Sequence, residues 1–376
     1  MAVYTTKDTD LTKVADAIRE KGGTADKLSY PDGMVEAIEA IPSGGGTDTL
    51  AEYISNSTYE YEVPATVTKL TNQAFKNLNR LTKISFKGDN TIASNDGSFF
   101  SGCSALKEAD LSNLNALDCT TVAYWFAECS ALQNLKLPTR IGKITNFASF
   151  FSGCKKLTSI DLSNFDTSEA TNMSNMFSGC ECLTSVDLSN FDTSQVTSLS
   201  YMLQNCYSLA EFDLSFFKLK TAGSVIMMNG LFSGCTALKS LDFSKLDMSK
   251  VNYTSNLCQN CKVLDLATDY VNNTLKYVES NCFYNCSALT LTKIGDVLNK
   301  IGSYAFYNCK ALTTLWVPAT CTSIGNDAFK GSGLTDFYTP LTERPSGWNA
   351  NAFPSTVTIH YGVSEEEYDA LISTAE

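Results

Sequence analysis

From Cys103 to Cys309 the chain repeats on a beat of about 26 residues. Nine cysteines, Cys103, Cys129, Cys154, Cys180, Cys206, Cys235, Cys261, Cys286 and Cys309, are separated by 26, 25, 26, 26, 29, 26, 25 and 23 residues. A leucine stands three residues after every one of them, from Leu106 to Leu312. A phenylalanine stands three before, except where Leu203 and Cys258 replace it. Copies without the cysteine surround Phe75 and Phe329, which makes about eleven turns. A unit of this length buries its apolar side chains only against its neighbours, so the repeat demands a stack. The 376 residues, 44% of them apolar, can then share one elongated core instead of forming several compact ones.

The residue before the cysteine is glycine or asparagine in eight of the nine copies, Glu128 being the exception. Both tolerate positive φ, so each turn is expected to bend there through a left-handed backbone position. After the bend, "LTSIDL" places Leu157, Ile160 and Leu162 on an L-x-x-L-x-L pattern, which predicts a short strand. Neighbouring strands would pair in parallel about 4.8 Å apart, giving a rod on the order of 50 Å. The predicted fold is a right-handed, β-rich leucine-rich-repeat solenoid over residues 50–345. A small helical module is expected at 1–42, where Leu11, Val14 and Ile18 follow Asp10 at helical spacing and Val35, Ile38 and Ile41 share a face. Residues 43–49 read as a Gly/Ser-rich linker. Residues 346–376 read as a C-terminal cap whose helix opens on the capping box of Ser364 and Glu367.

Two stretches, "GCKKLTSIDLSNFDTSEATNMSNMFSGC" and "IGSYAFYNCKALTTLWVPATCTSIGNDAFKG", resemble the BspA-like leucine-rich repeats of bacterial surface proteins. The resemblance runs roughly from Leu50 to Pro340. It implies a surface or secreted protein that binds host proteins, extracellular matrix or other cells, without enzymatic activity. The N-terminal "DLTKVADAIREKGG" and "YPDGMVEAIEAI" are similar to segments heading tail-associated proteins of phages and prophages of gut Firmicutes. That similarity implies an alternative, a virion-associated structural or receptor-binding part of a tail. The opening "MAVYTTKDTD" lacks a basic stretch followed by an apolar one, so no signal peptide is expected.

Several function classes are disfavoured. The net charge is −12 and no basic stripe appears, which argues against nucleic acid. No apolar run approaches the roughly 18 to 20 residues a membrane helix needs, which argues against insertion. There is no phosphate loop, dinucleotide fingerprint or H-E-x-x-H, and the single histidine, His360, has no catalytic partner in a motif. No enzyme, cofactor or metal is expected. Cys258 and Cys261 form a CxxC, the spacing of half a zinc site or a redox pair, but the repeat register accounts for both more simply. The other repeat cysteines are expected to be buried thiols. Stacked turns would bring them within disulfide reach, yet stacked side chains point the same way rather than at each other.

The surface is what remains. Asp110, Asp161, Asp187, Asp213 and Asp242 share the position seven after the cysteine, with Lys136 interrupting. Asp161 lies between inward Ile160 and Leu162 and must therefore point outward. Such a file reads either as a cation-binding row or as a solvated face whose carboxylates bond nearby loop N–H groups and hydroxyls. A second set, Asp166, Asp192 and Asp247, suits capping turns. The candidate ligand face comprises Asp110, Ser159, Asp161, Ser185, Asp187, Glu211, Asp213 and Asp242. It is acidic and small-sided, which suits a basic protein more than an apolar ligand; a glycan is the other candidate. Tyr284 and Tyr307, two residues before their cysteines, sit in a region also rich in Tyr270, Tyr277, Tyr304 and Trp316. They read as packing at the end of the rod or as a second anchor, since interfaces favour Tyr and Trp. The expected function is a non-catalytic binding or adhesion module; neither its ligand nor its oligomeric state is specified by the sequence.

Overall fold

Turns towards both ends of the stack donate strands to parallel ladders, and about twelve turns stack into a solenoid. The computed structural model describes residues 59–65, 67–70, 73–92, 97–219, 225–266 and 276–373. The expected helical module, the linker and Tyr270 lie outside them. At the N-terminal end of the stack β1 (Glu60–Val63), β3 (Lys83–Phe86), β5 (Glu108–Asp110) and β7 (Asn134–Lys136) pair in that order. On a second side β2 (Lys69–Leu70), β4 (Asn90–Ile92), β6 (Leu114–Ala116) and β8 (Arg140–Ile141) do the same. Towards the C-terminal end β13 (Thr314–Trp316), β15 (Asp336–Thr339) and β17 (Thr358–Tyr361) form one ladder. Another joins β11 (Tyr277–Val278), β12 (Lys300–Ile301), β14 (Ser323–Ile324) and β16 (Gly347–Trp348). A short pair, β9 (Ile226–Met227) and β10 (Val251–Tyr253), lies between them. The strands alternate as the pleat requires: Tyr61 and Val63 are buried while Glu60 and Glu62 face solvent.

One expectation fails in the middle of the rod. The strand predicted over Leu157–Leu162 does not form, nor do its counterparts in the next three turns. No backbone hydrogen bond joins Ser159–Asp161, Ser185–Asp187, Glu211–Asp213 and Ser240–Asp242 to one another. The rungs of the first ladder carry opposite charges side by side, Lys83 with Glu108 and Lys136 with Asp110. In the middle turns aspartate stands above aspartate, and like charges directly opposite each other disfavour strand pairing. Asp213 and Asp242 cap short 3₁₀ turns, η1 (Leu214–Phe216) and η2 (Phe243–Lys245), instead.

A different backbone network holds every turn to the next. Phe147, Ser149, Phe151 and Gly153 donate their N–H groups to the carbonyls of Asn172, Ser174, Met176 and Ser178, at 2.7–2.9 Å. The intervening N–H groups of Phe150, Ser152 and Cys154 close tight turns within the coil. This alternation recurs from Ser98 to Phe329 and survives where the strand ladders stop. It depends on two left-handed residues per turn. One precedes the cysteine, and even Glu128 adopts it, at φ 62°. The other lies four residues earlier, at Tyr124, Ser149, Asn175 and their equivalents.

The core behind this corner is regular. The leucines from Leu106 to Leu312 are fully buried. Phe75, Phe100, Phe126, Phe151 and Phe177 stack ring on ring with centroids 5.2–5.7 Å apart. Phe283, Phe306, Phe329 and Phe353 form a second column at 5.2–5.5 Å. Phe353 marks a turn that has neither the cysteine nor the leucine, which takes the number from the expected eleven to about twelve. The chain ends in α1 (Glu365–Ser373), opened by Ser364 and Glu367, which exchange bonds of 2.8 and 3.2 Å.

Candidate functional site

The aspartates of the repeat all do one local job. In eight D-x-S tripeptides the carboxylate accepts the N–H two residues on. Asp110 takes Ser112 at 3.1 Å, Asp161 takes Ser163 at 2.9 Å and Asp187 takes Ser189 at 2.8 Å. Asp213 takes Ser215 at 2.9 Å and Asp242 takes Ser244 at 3.0 Å. The second set behaves alike: Asp166, Asp192 and Asp247 bond Ser168, Ser194 and Ser249 at 2.9–3.1 Å. These side-chain turns replace the missing ladder as the local order of the middle section.

The row divides by charge balance. Asp110 is half-buried and bonded to Lys136 Nζ at 2.7 Å. Burial pushes its carboxyl up, but Lys136 and Ser112 outweigh that and hold it below the ordinary aspartate range. Asp161, Asp187 and Asp213 are exposed and form no ion pair among the described residues, though the Lys245 charge also lowers Asp213. Bonds from the N–H and hydroxyl of Ser163, Ser189 and Ser215 hold their carboxyls low, so all three are ionised near neutrality. Ser159, Ser185 and Glu211 are exposed beside them. A shallow groove of about 610 Å³ opens at the N-terminal end of the row, lined by Lys83, Glu108, Asp110, Asn134, Lys136 and Asp161 among others.

Further along, the same file of positions changes character. Bridges link Lys293 to Trp316, Trp316 to Tyr338 and Tyr338 to His360. Helix α1 folds back over them. Lys293 Nζ reaches Glu365 at 2.7 Å and Asp369 at 3.1 Å, and the buried Tyr368 donates its hydroxyl to the Thr292 carbonyl at 2.9 Å. Trp316 is covered and its indole N–H donates to the Val363 carbonyl at 3.2 Å. Among the described residues, nothing is seen to cover the aspartate file in the middle turns, whereas the chain's own helix covers its continuation at the end. Trp316 belongs to that packing and not to an exposed patch.

Tyr284 and Tyr307 are brought together, with rings 4.9 Å apart and 4° from parallel. They are half-buried, with the exposed Tyr304 5.9 Å from Tyr307. They occupy the file two residues before the cysteine, in turns beyond Asp242, so they and the aspartates form separate files. His360 stacks on Tyr338 at 4.4 Å, and its Nε2 lies 2.8 Å from Asp336 Oδ1 in the preceding turn. That partner was invisible without the turn register. All fourteen cysteines are free thiols, Cys258 fills the phenylalanine slot in the core, and no cluster with metal-ligand composition occurs among the described residues.

A family model described as the BspA-type leucine-rich repeat region matches six copies, over residues 53–118 and 226–359, more than half of the chain. The chain belongs to the BspA-type leucine-rich repeat family. A second model, described as a Mycoplasma protein of unknown function, matches residues 138–224. This BspA-type protein is also similar to a solved leucine-rich repeat protein from Bacteroides ovatus, 21% identical, covering 80% of this chain and 91% of that one, with a TM-score of 0.43. One from Eubacterium ventriosum is 18% identical, covering 78% and 88%, with a TM-score of 0.37. The pneumococcal vaccine antigen PcpA is 16% identical, covering 84% and 76%, with a TM-score of 0.42. No curated protein matches. The second model covers the turns around Asp161, Asp187 and Asp213, three of the four in which the ladder lapses; the fourth, at Ser240–Asp242, lies within the BspA-type match.

Proposed function

We propose that this BspA-type protein is a non-catalytic binding module of a bacterial surface, and that it recognises a basic protein partner through Asp161, Asp187, Glu211 and Asp213. The family is generally surface-associated, which supports the location. The observation that carries the partner's chemistry is the division of the row. The first aspartate is neutralised by Lys136, whereas the next three stand exposed and ionised without a salt bridge among the described residues, Lys245 acting on Asp213 from beyond salt-bridge distance. Uncompensated charge of one sign on successive turns steers an oppositely charged partner and orients it. The stacked Tyr284 and Tyr307 supply a second, aromatic anchor on another file.

The experiment is a screen of the purified protein against host extracellular proteins and surface glycans, followed by a salt titration of the strongest binder. Replacing Asp161, Asp187 and Asp213 together with asparagine keeps the local turns and removes three charges. Binding should weaken by about 3- to 150-fold at low salt, since exposed charge pairs contribute about 0.2–1 kcal/mol each. Its salt dependence should flatten. A binder whose affinity and salt dependence ignore the substitution would sink the proposal, and selective capture of neutral glycans would favour the tyrosine pair.

A further inference from the structure

Between residues 155 and 266 the turns are tied together more densely on one side than on the other. On the corner side the network is complete. Met173, Asn175, Phe177 and Gly179 donate to Ser198, Ser200, Met202 and Gln204. Leu199, Tyr201, Leu203 and Asn205 then donate to Met227, Asn229, Leu231 and Ser233. On the aspartate side the triplets from Ser159 to Asp242 share no backbone bond, and none links β7 to Ser159–Asp161. The nearest ties are single backbone bonds from Cys182 to Lys155, Thr184 to Thr158, Lys239 to Ala210 and Asp265 to Lys239, and two through buried threonine hydroxyls. These are Asp192 N–H to Thr167 Oγ1 at 2.8 Å and Lys218 N–H to Thr193 Oγ1 at 2.6 Å.

Spreading the turns at β3, β5 and β7 would break ladder bonds and leave their groups unpaired. Spreading them at Asp161, Asp187 and Asp213 breaks none between the triplets. The carboxylates there also repel one another along the axis, an effect that salt screens. We infer that this section is a compliant joint: it bends about the corner network, and the mutual repulsion of the aspartate row sets how far its turns stand apart. The row can then adjust its charge spacing to a partner, while the flanking laddered sections stay rigid. This device is independent of what binds.

The test is a pair of distance measurements by electron spin resonance in the full chain, with Cys182→Ser to leave only buried native thiols. Labels at Ser159→Cys and Ser240→Cys span three turns on the aspartate side. Labels at Ser178→Cys and Gln259→Cys span three turns on the corner side. The first pair should give a distribution at least about twice as broad as the second, the signature of an extra collective motion. Its mean should shorten on adding salt, and shorten likewise when Asp161, Asp187 and Asp213 become asparagine; the corner pair should not move. An aspartate-side distribution as narrow as the corner's, or one that ignores both salt and the triple substitution, overturns the inference.

Discussion

The thiol of Cys180 donates to the carbonyl of Phe151 in the preceding turn, 3.2 Å away. That carbonyl already accepts the N–H of Cys154 at 3.0 Å, so the thiol satisfies its remaining lone pair in a site closed to water. All nine repeat cysteines make this bond, at 2.9–3.3 Å. It persists where the slot above holds Leu203 or Cys258, because the acceptor is backbone. Cysteine suits the position as a small, mostly apolar side chain that still offers a weak donor. Burial pushes the Cys103 and Cys309 thiols up to about 12, which removes the reactive thiolate near neutrality.

Native protein should therefore resist thiol reagents except at Cys182, the one cysteine that is not fully buried. After denaturation without reductant all fourteen should titrate. Fewer than four titratable thiols in the denatured chain would mean a disulfide ladder and would refute the donor role.

Leu183 is fully buried three residues after Cys180. Leu183→Ala should cost about 2–5 kcal/mol, the range for truncating a packed leucine. Ser178→Ala, half-exposed in the same turn, should stay within about 0.5 kcal/mol. Denaturant midpoints of the two variants check the register, since an equal loss at both positions would contradict it.

The left-handed positions give a pair of opposite sign. At Gly153, with φ +76°, an added Cβ would meet the Glu128 carboxylate at 2.7 Å, so Gly153→Ala should destabilise by about 1–2 kcal/mol. Glu128 bears a side chain at φ 62° that asparagine tolerates better. Glu128→Asn should therefore leave stability unchanged or raise it by up to about 1 kcal/mol. Thermal unfolding of both variants against the parent settles the sign.

Most of the stack was legible because its determinants are periodic. Cysteine, leucine and phenylalanine recur at fixed offsets, and each occupies the buried column its offset implies. The second left-handed position was obscured because Tyr124, Tyr201 and Tyr304 share it with Asn175, Asn256 and Asn281; only the asparagines signal it. The lost strands were harder still. "LTSIDL" has the right alternation and the register already stacks its aspartates in one file, but pairing is decided across the rung, where like charges outweigh a strand pattern that holds within one turn. The D-x-S turns were within reach of local chemistry, while the return of α1 onto Lys293 and Trp316 depends on tertiary packing that no spacing encodes.

Those D-x-S turns should also shape the acid stability of the protein. Asp161, Asp187 and Asp213 have folded pKa values below the ordinary aspartate value, because the N–H and hydroxyl of the following serine favour the ionised form. Partial desolvation acts the other way, and the hydrogen bonds outweigh it. A carboxyl depressed in the folded state binds fewer protons there than in the unfolded chain. Its stabilising contribution is thus fully present above the unfolded value, about 3.9, and is lost as pH falls through the lower folded value. The thermal midpoint should decline over that window. The triple asparagine variant keeps an amide oxygen to accept the same N–H groups but has no proton to bind at these sites. Its midpoint should lie somewhat below the parent's near neutrality and fall less steeply below about pH 4, so that the two converge in acid. An acid decline as steep in the variant as in the parent would show that these carboxylates do not stabilise the turns they close.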